Sequence, residues 1–414
     1  MIDDTNAIDY PSDDYSTAKE RVSFFMLFLC PLIVLMTTVS YIEGASKIAI
    51  GYGVICGIAF LLSGNIKFYR ETLFFALFIL WSLTGILTAP SSLFFLVSLG
   101  TVIQLFALFF MISNVCTNIA NVKCILFSYL IGSSIVAYLT ISSGAYALAE
   151  YGGEKARAAG IVGNANAFAF LIDCMVLILL WFFQLTKSKI FKGVFLCPIP
   201  VCLKLIISSG SRSGFLGFVA IMGFWYCLFY FKLTFKKPLL ALFVTVLMIG
   251  FGVYVVQHLA YTTLLKRLTQ IKAITQGAGD VSRIELIKQG IRVTAANPIL
   301  GVGLNNFRFY TGDLYAHNNY IEILADTGLP GAALYYGIYV CIISKLLKLR
   351  RQMKSPMLTM ILVYLLFDSL IWQMFGVTYA QKETWILLAV TAGYLNNCSQ
   401  DQNGLDAVQS DSLY

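Results

Sequence analysis

The chain has 414 residues, of which 58% are hydrophobic and only 12% are charged, and its formal net charge is +8. In a soluble protein about a quarter of the residues are charged, so this composition excludes a water-soluble globular fold. The positive charge does not indicate a nucleic-acid partner, because no basic stripe with interleaved aromatic residues is present.

Residues 1–21 form an acidic segment with few apolar side chains. The segment lacks the basic start and the small-residue cleavage site of a secretory signal peptide. Because it cannot bury a hydrophobic core, we predict a disordered cytoplasmic tail.

Apolar runs recur along the rest of the chain, and most are long enough to cross a hydrocarbon layer of about 30 Å. They predict about twelve spans, at 22–40, 48–63, 72–89, 92–113, 124–143, 165–184, 193–209, 213–231, 238–258, 318–347, 357–376 and 383–397. The expected fold is an all-α, polytopic transmembrane bundle. Its spans occupy 22–258 and 318–397, and a second cytoplasmic tail occupies 398–414.

The tenth predicted span is over-long and contains the sequence Gly328-Leu-Pro-Gly331. Glycine and proline interrupt helices, so this span is predicted to begin as a short surface helix that leads into a transmembrane one. Lysine and arginine are more frequent, by about three to one, in the loops that lie inside when both termini are cytoplasmic. This orientation places three polar segments, 144–164, 208–214 and 259–317, on the outer face.

The segment 259–317 is too long to be a simple connection and is predicted to form a large outer loop with short helices. Ser282 and Glu285 have the spacing of a capping box, and Asn297-Pro298 would end the helix that they begin. The apolar face of this helix is predicted to consist of Ile284, Ile287 and Ile291.

Arg212 lies in a break of small polar residues, Ser208 to Gly214, between two spans. Its guanidinium is a candidate for binding phosphate oxygens, and the simpler interpretation is an arginine that reaches the lipid headgroups. Lys204 lies inside the preceding span and could add positive charge to the same site, or could extend to the outer interface.

Arg283 falls in the first turn of the predicted loop helix, where the helix dipole disfavours a cation. A bound anion would remove this conflict, although Glu285 could also neutralise the arginine. Arg292 adds positive charge to the same helix and is a further candidate, which a solvated helix face explains equally well.

His317 precedes the tenth span and is the candidate general base, because neutral imidazole can accept a proton near physiological pH. The alternative is an orienting role, since Asn319 and Glu322 have the spacing of a capping box. Asn318 and Asn164 are further candidates for substrate binding, and Asn164 could instead cap the sixth span. The sequence has no Walker loop, Asp-x-Asp pair or HExxH motif, so neither a metal nor a cofactor is predicted.

Four stretches together resemble the O-antigen polymerase and O-antigen ligase family of bacterial envelope glycosyltransferases. They are Ser211-Arg-Ser-Gly214, Arg283, Asn297-Pro-Ile-Leu-Gly-Val-Gly-Leu-Asn-Asn-Phe307 and Ala316-His-Asn-Asn-Tyr-Ile-Glu-Ile-Leu-Ala-Asp-Thr-Gly-Leu-Pro-Gly331. The resemblance is densest between about 160 and 335, and the remainder agrees only in hydropathy.

The resemblance implies a GT-C-like fold in the bacterial cytoplasmic membrane and a metal-independent, inverting reaction on its outer face. The donor would be an undecaprenyl diphosphate-linked oligosaccharide, bound through Arg212 and Arg283, and His317 would activate the acceptor hydroxyl. Membrane lipid and either a chain-length regulator or a flippase are the implied partners. A repeat-unit polymerase is favoured over a ligase that uses the lipid A core, and a transporter of an anionic lipid or glycan is the alternative from another class.

Overall fold

The computed structural model describes residues 22–42, 46–63, 66–143, 146–147, 157–231 and 283–411. Its α-helices, in chain order, are α1 (Met26–Thr37), α2 (Ser46–Leu62), α3 (Arg70–Ser82), α4 (Ser92–Val115), α5 (Ile119–Ser143), α6 (Ala165–Leu185), α7 (Lys189–Leu196), α8 (Ile199–Ser209), α9 (Arg212–Tyr226), α10 (Arg283–Ala296), α11 (Asn319–Gln352), α12 (Pro356–Phe367) and α13 (Lys382–Asp411). Two-residue strands β1 (Tyr146–Ala147) and β2 (Arg157–Ala158) pair in antiparallel register, with Tyr146 opposite Ala158.

Several shorter turns extend or connect these helices. The 3-10 turns lie at Val39–Tyr41, Leu83–Leu87, Gly160–Val162 and Phe307–Tyr310. Wide turns of π-helical type lie at Cys227–Phe231 and Asp368–Trp372, and the second continues into a last helical turn at Gln373–Phe375.

Eight helical segments of the described part are long and apolar enough to cross a membrane, by length and composition. They are Arg70–Leu87, Ser92–Val115, Ile119–Ser142, Ala165–Leu185, Lys189–Ser209, Arg212–Tyr230, Asn319–Gln352 and Pro356–Phe375. The shorter apolar helices α1 and α2 occupy the first two predicted spans, and α13 begins at the last. The prediction of a polytopic helical membrane protein is therefore confirmed. The predicted span 238–258 lies outside the described residues, as do Ser282 and the tail 1–21.

Helix α6 lies at the centre of the bundle and is buried on almost all sides. A membrane helix in this position needs apolar residues around nearly its whole circumference, and the buried residues of α6 are apolar apart from Asp173. It packs against α5, α8, α9 and α12. The ring of Phe170 on α6 stacks on Trp372 at 3.8 Å between centroids, which fixes the turn Asp368–Trp372 against the core.

Helices α6 and α9 run in the same direction and in close contact. A Cβ atom at Gly214 would lie 2.4 Å from the Cβ of Ala169, and one at Gly217 would lie 2.4 Å from Oδ2 of Asp173. Only glycine therefore permits this approach. Asn164 and Arg212, which precede these contacts on α6 and α9, lie at one end of the bundle, called here the site end.

Helix α11 is broken at Gly328, whose backbone is left-handed with φ of 69°. The predicted interruption is confirmed, but the prediction of a surface helix before it is wrong. Ile323, Ala325 and Asp326 in the first half of α11 are completely buried. The first half packs against α10, and α11 as a whole packs against α3 and α13.

Candidate functional site

His317 is the residue at which the segment after α10 turns into α11. Its φ of 50° is in the left-handed region, which is uncommon for a residue with a Cβ atom. Hydrogen bonds hold the turn on both sides: the N–H of Ala316 donates to Oε2 of Glu322 at 2.7 Å, and that of Ile321 donates to Oδ1 of Asn318 at 3.1 Å. The helix cap is therefore Asn318, and the predicted capping box of Asn319 and Glu322 is wrong by one residue.

Arg283 lies close enough to His317 for its charge to act on the imidazole. Burial lowers the pKa of His317 first, and the Arg283 guanidinium lowers it further. The same guanidinium lies over the ring of Phe375, 5.9 Å from its centroid. Nδ2 of Asn318 donates to the carbonyl of Met374 at 3.4 Å, so the residues beside His317 are tied to the segment that supports Arg283. The structure thus brings together Arg283, His317 and Asn318.

Arg212 is the first residue of α9, directly after Ser211, whose hydroxyl accepts a hydrogen bond from the N–H of Gly214 at 3.1 Å. Its side chain is half-buried. The first residues of a helix carry unpaired N–H groups and the positive end of the dipole, and both favour an anion.

The position of Arg212 relative to Arg283 can be judged from the segment at the end of α12, which both neighbourhoods contact. Helix α9 packs against Asp368–Trp372. A Cβ atom at Gly217 would lie 3.0 Å from the ring of Phe367. From this contact, α9 leads back to Arg212 and the segment after α12 leads forward to Phe375, both towards the site end. Arg212 and Phe375 therefore lie at the same end of the bundle.

The remaining candidates lie outside this cluster of Arg283, His317 and Asn318. Lys204 is exposed on α8, and Arg292 is exposed and lies 3.4 Å from Oε1 of Glu285. Asn164 caps α6, because its Oδ1 accepts from the N–H groups of Asn166 and Ala167. Asn164 and Arg292 therefore have contacts within the protein that need no ligand.

The burial pattern of α10 differs from the prediction. The residues facing α11 are Leu286, Gly290 and Val293, and not the three isoleucines. Gly290 is the reason, because a Cβ atom there would lie 2.1 Å from Cγ2 of Ile321, so the closest approach of the two helices is at the glycine. A pattern search for large apolar residues passes over such a position.

Asn319 and Asp326 are two completely buried side chains that the sequence interpretation did not assign to the site. Oδ1 of Asn319 accepts from the N–H groups of Thr378 and Tyr379 at 2.8 and 3.0 Å. Its Nδ2 lies within hydrogen-bond distance of Gln373 Oε1 at 3.3 Å. Asn319 therefore fixes the loop between α12 and α13 against the start of α11.

Asp326 organises the glycine-rich stretch after α10. Its carboxylate accepts from the N–H of Asn305 at 2.7 Å and from the N–H of Phe307 at 3.0 Å. Gly301 has a φ of 67°, and a Cβ atom there would lie 2.5 Å from the backbone of Asp326. Gly301-Val-Gly303 is thus a tight turn against α11. An acidic residue in a predicted span was the signal that could have identified Asp326.

These features define a class of protein: a polytopic helical membrane protein with an arginine and an imidazole held together at one end of its bundle. Residues 199–336 match the family model described as O-antigen ligase. The match confirms the resemblance to the O-antigen polymerase and ligase family over the segment that contains Arg212, Arg283 and His317. It supports an enzyme of the O-antigen ligase or polymerase type. A search of curated proteins gives no match to the chain.

Proposed function

We propose that the protein is a glycosyltransferase that moves an undecaprenyl diphosphate-linked oligosaccharide to a sugar hydroxyl on the outer face of the bacterial cytoplasmic membrane. The observation that carries the proposal is the Arg283 guanidinium close to the half-buried imidazole of His317. The guanidinium can bind a phosphate leaving group, and the imidazole can accept the proton that an attacking hydroxyl must lose.

In the proposed reaction, Arg212 and Arg283 bind the diphosphate of the donor. The acceptor oxygen forms a bond to the anomeric carbon from the face opposite the diphosphate, and the carbon–oxygen bond to the diphosphate breaks with inversion. His317 accepts the hydroxyl proton, and the two guanidiniums neutralise the negative charge that develops on the departing diphosphate. The arginines supply this positive charge without a metal ion.

The excess of lysine and arginine in the loops of the opposite end favours an outward-facing site. The lipid-linked donor is already activated, so the reaction needs no nucleotide on that side. We favour a repeat-unit polymerase, in which the acceptor is a sugar on a second lipid diphosphate. A ligase acting on the lipid A core is the second candidate, because the matching family model is described as O-antigen ligase.

The proposal is tested with purified protein in detergent and lipid-linked repeat units, with and without a core acceptor. We expect Arg212→Ala, Arg283→Ala and His317→Ala each to lose at least 100-fold in transfer, about the size of a general base or an electrostatic contact. Lys288→Ala, on an exposed face of α10, is the matched control and should remain active. Added chelator should not change the rate.

Polymer formed without core would identify a polymerase, and transfer only to core would identify a ligase. A transporter would give no product in detergent, where no second compartment exists. Normal activity in all three alanine variants would reject the site.

A pH dependence follows from the environment of His317. Its pKa is lowered, so the neutral base persists below the ordinary value of about 6.5, and activity is lost as pH falls through the lowered pKa. Replacing the Arg283 charge with the neutral side chain of Arg283→Gln should raise the pKa again. The measurement is a titration of ¹³C-labelled histidine, in which His258 gives the only other signal. A titration of His317 that does not change in Arg283→Gln would contradict the electrostatic contact.

A further inference from the structure

Helix α10 has three distinct stripes rather than the two of an ordinary surface helix. The buried stripe consists of Leu286, Gly290 and Val293. The charged stripe consists of Glu285, Lys288 and Arg292. The third stripe, called here the isoleucine stripe, consists of Ile284, Ile287 and Ile291. At about 100° per residue the three stripes point in different directions around the helix.

The residues that the structure describes do not cover the isoleucine stripe. Ile284 is 64% exposed and Ile291 is 57% exposed, while Ile287 is half-buried. The charged stripe is also exposed, with side-chain exposure of 60% at Lys288 and 66% at Arg292. The two exposed stripes therefore differ in polarity, as the faces of an amphipathic helix do.

The neighbours of α10 indicate its depth along the bundle. Arg283 lies beside Phe375, Gly290 lies against Ile321, and the carbonyl of Ile299 approaches Gly328. Helix α10 and the first half of α11 thus run side by side in the same direction.

The first half of α11 in turn folds back on the second. Nδ2 of Asn319 lies 3.3 Å from the hydroxyl of Tyr335 and 3.4 Å from that of Tyr336, two turns beyond the break at Gly328. Those tyrosines belong to a helix with the length and composition of a membrane span. Helix α10 therefore lies beside the outermost turns of a span and does not project away from the bundle.

The exposed apolar surface continues from α10 onto that span. The N–H of Leu329 donates to the carbonyl of Pro298 at 2.8 Å, which places Leu329 next to Ile299. Ile299 is 62% exposed and Leu329 is 58% exposed. Exposed apolar side chains on a membrane span are suited to contact with lipid, and this surface is continuous with the end of α10.

We propose that the isoleucine stripe of α10 contacts the acyl chains of the lipid leaflet at the site end, while the charged stripe faces water. Arg283 occupies the first position of α10, between the buried stripe and the isoleucine stripe. Its guanidinium therefore borders the surface that contacts lipid. This inference goes beyond the proposed function and does not depend on the transfer chemistry.

The test places the photo-crosslinking residue p-benzoylphenylalanine at positions 284, 287 and 291, and at 288 and 292 as matched controls on the same helix. The full chain is irradiated in nanodiscs of phosphatidylethanolamine and phosphatidylglycerol and analysed by intact-mass spectrometry. We expect several-fold more phospholipid adduct from the isoleucine positions than from the control positions. Crosslinks within the chain, a crosslinked dimer, or equal lipid adduct from both stripes would overturn the proposal.

A second measurement tests the lipid contact in case a crosslinking variant does not fold. Ile287→Trp and Lys288→Trp are compared in nanodiscs that contain brominated phospholipid. The brominated lipid should quench the fluorescence of the added tryptophan several-fold more in Ile287→Trp than in Lys288→Trp. Equal quenching in both variants would again reject the lipid contact.

Discussion

Two breaks in the helical bundle lie next to candidate site residues, and they are stabilised differently. At the first, α8 ends at Gly210, which has a φ of 61°, and Ser211 caps α9 through its own hydroxyl. The N–H of Ser211 donates to Oγ of Ser209 at 3.1 Å. The hydrogen bonds described at this break join residues at most four positions apart.

The second break, at Gly328, depends on distant parts of the chain. The carbonyls of Ala325 and Asp326 accept from the N–H groups of Val302 and Gly303 at 2.9 and 2.8 Å. The carbonyl of Thr327 accepts from the indole of Trp81 on α3 at 3.0 Å. In a membrane, each of these backbone groups needs a partner within the protein.

The difference shows that the chain positions its two arginines by separate means. The turn that presents Arg212 is built from adjacent residues, whereas the region of Arg283 and His317 is held by contacts between α3, α10 and α11. Substitutions at Gly328 should therefore destabilise the whole site end, whereas substitutions at Ser211 should destabilise only the start of α9.

The largest effect is expected for Gly328→Ala. A Cβ atom there would lie 2.1 Å from the carbonyl oxygen of Ile299, and the left-handed φ adds strain. We expect a loss of about 3 kcal/mol or more in the free energy of unfolding, measured by thermal denaturation in detergent. Gly312→Ala is the control, because its φ of 68° is within a degree of that of Gly328 but a Cβ atom there would meet nothing within 4 Å. Only about 1 kcal/mol should be lost in this variant. Equal losses in both variants would show that the close packing of the second break does not matter.

An intermediate effect is expected for Trp81→Phe, which removes the donor to the Thr327 carbonyl. The unpaired buried carbonyl should reduce stability by about 1–3 kcal/mol. Trp225→Phe is the matched control, since the buried indole nitrogen of Trp225 has no hydrogen-bond partner in the described part of the chain. The same thermal measurement should give the larger loss for Trp81→Phe, and the reverse order would contradict the long-range stabilisation of this break.

The smallest effect is expected for Ser211→Ala. Loss of the cap to the N–H of Gly214 should cost about 1 kcal/mol. Ser208→Ala serves as the control, because the Ser208 hydroxyl only donates to the carbonyl of Lys204 within α8 and caps no helix start. A loss at Ser211 as great as that for Gly328→Ala would remove the distinction between the two breaks.

Much of the fold was predictable because lipid imposes simple demands on a sequence. Uninterrupted apolar runs marked the spans, and Gly328 with Pro330 marked the break in α11. The expectation that Arg283 and His317 act together agrees with their proximity in the structure. The roles of these residues remain predictions.

Other features depended on atoms that are far apart in the sequence. The orientation of α10 was predicted wrongly because Gly290, and not an isoleucine, makes the closest contact with α11. The cap of α11 shifted to Asn318 because Asn319 is engaged with the loop at Thr378 and Tyr379. Hydropathy carries no information about such pairings.

The sequence by itself determined the membrane spans, the helix breaks and the identities of the cationic and imidazole side chains, because these follow from composition and local geometry. Only the tertiary structure decided which face of α10 is buried, which backbone groups stabilise Gly328, and which cation lies beside His317. Those features arise from side-chain volume and hydrogen-bond partners contributed by helices that are distant along the chain.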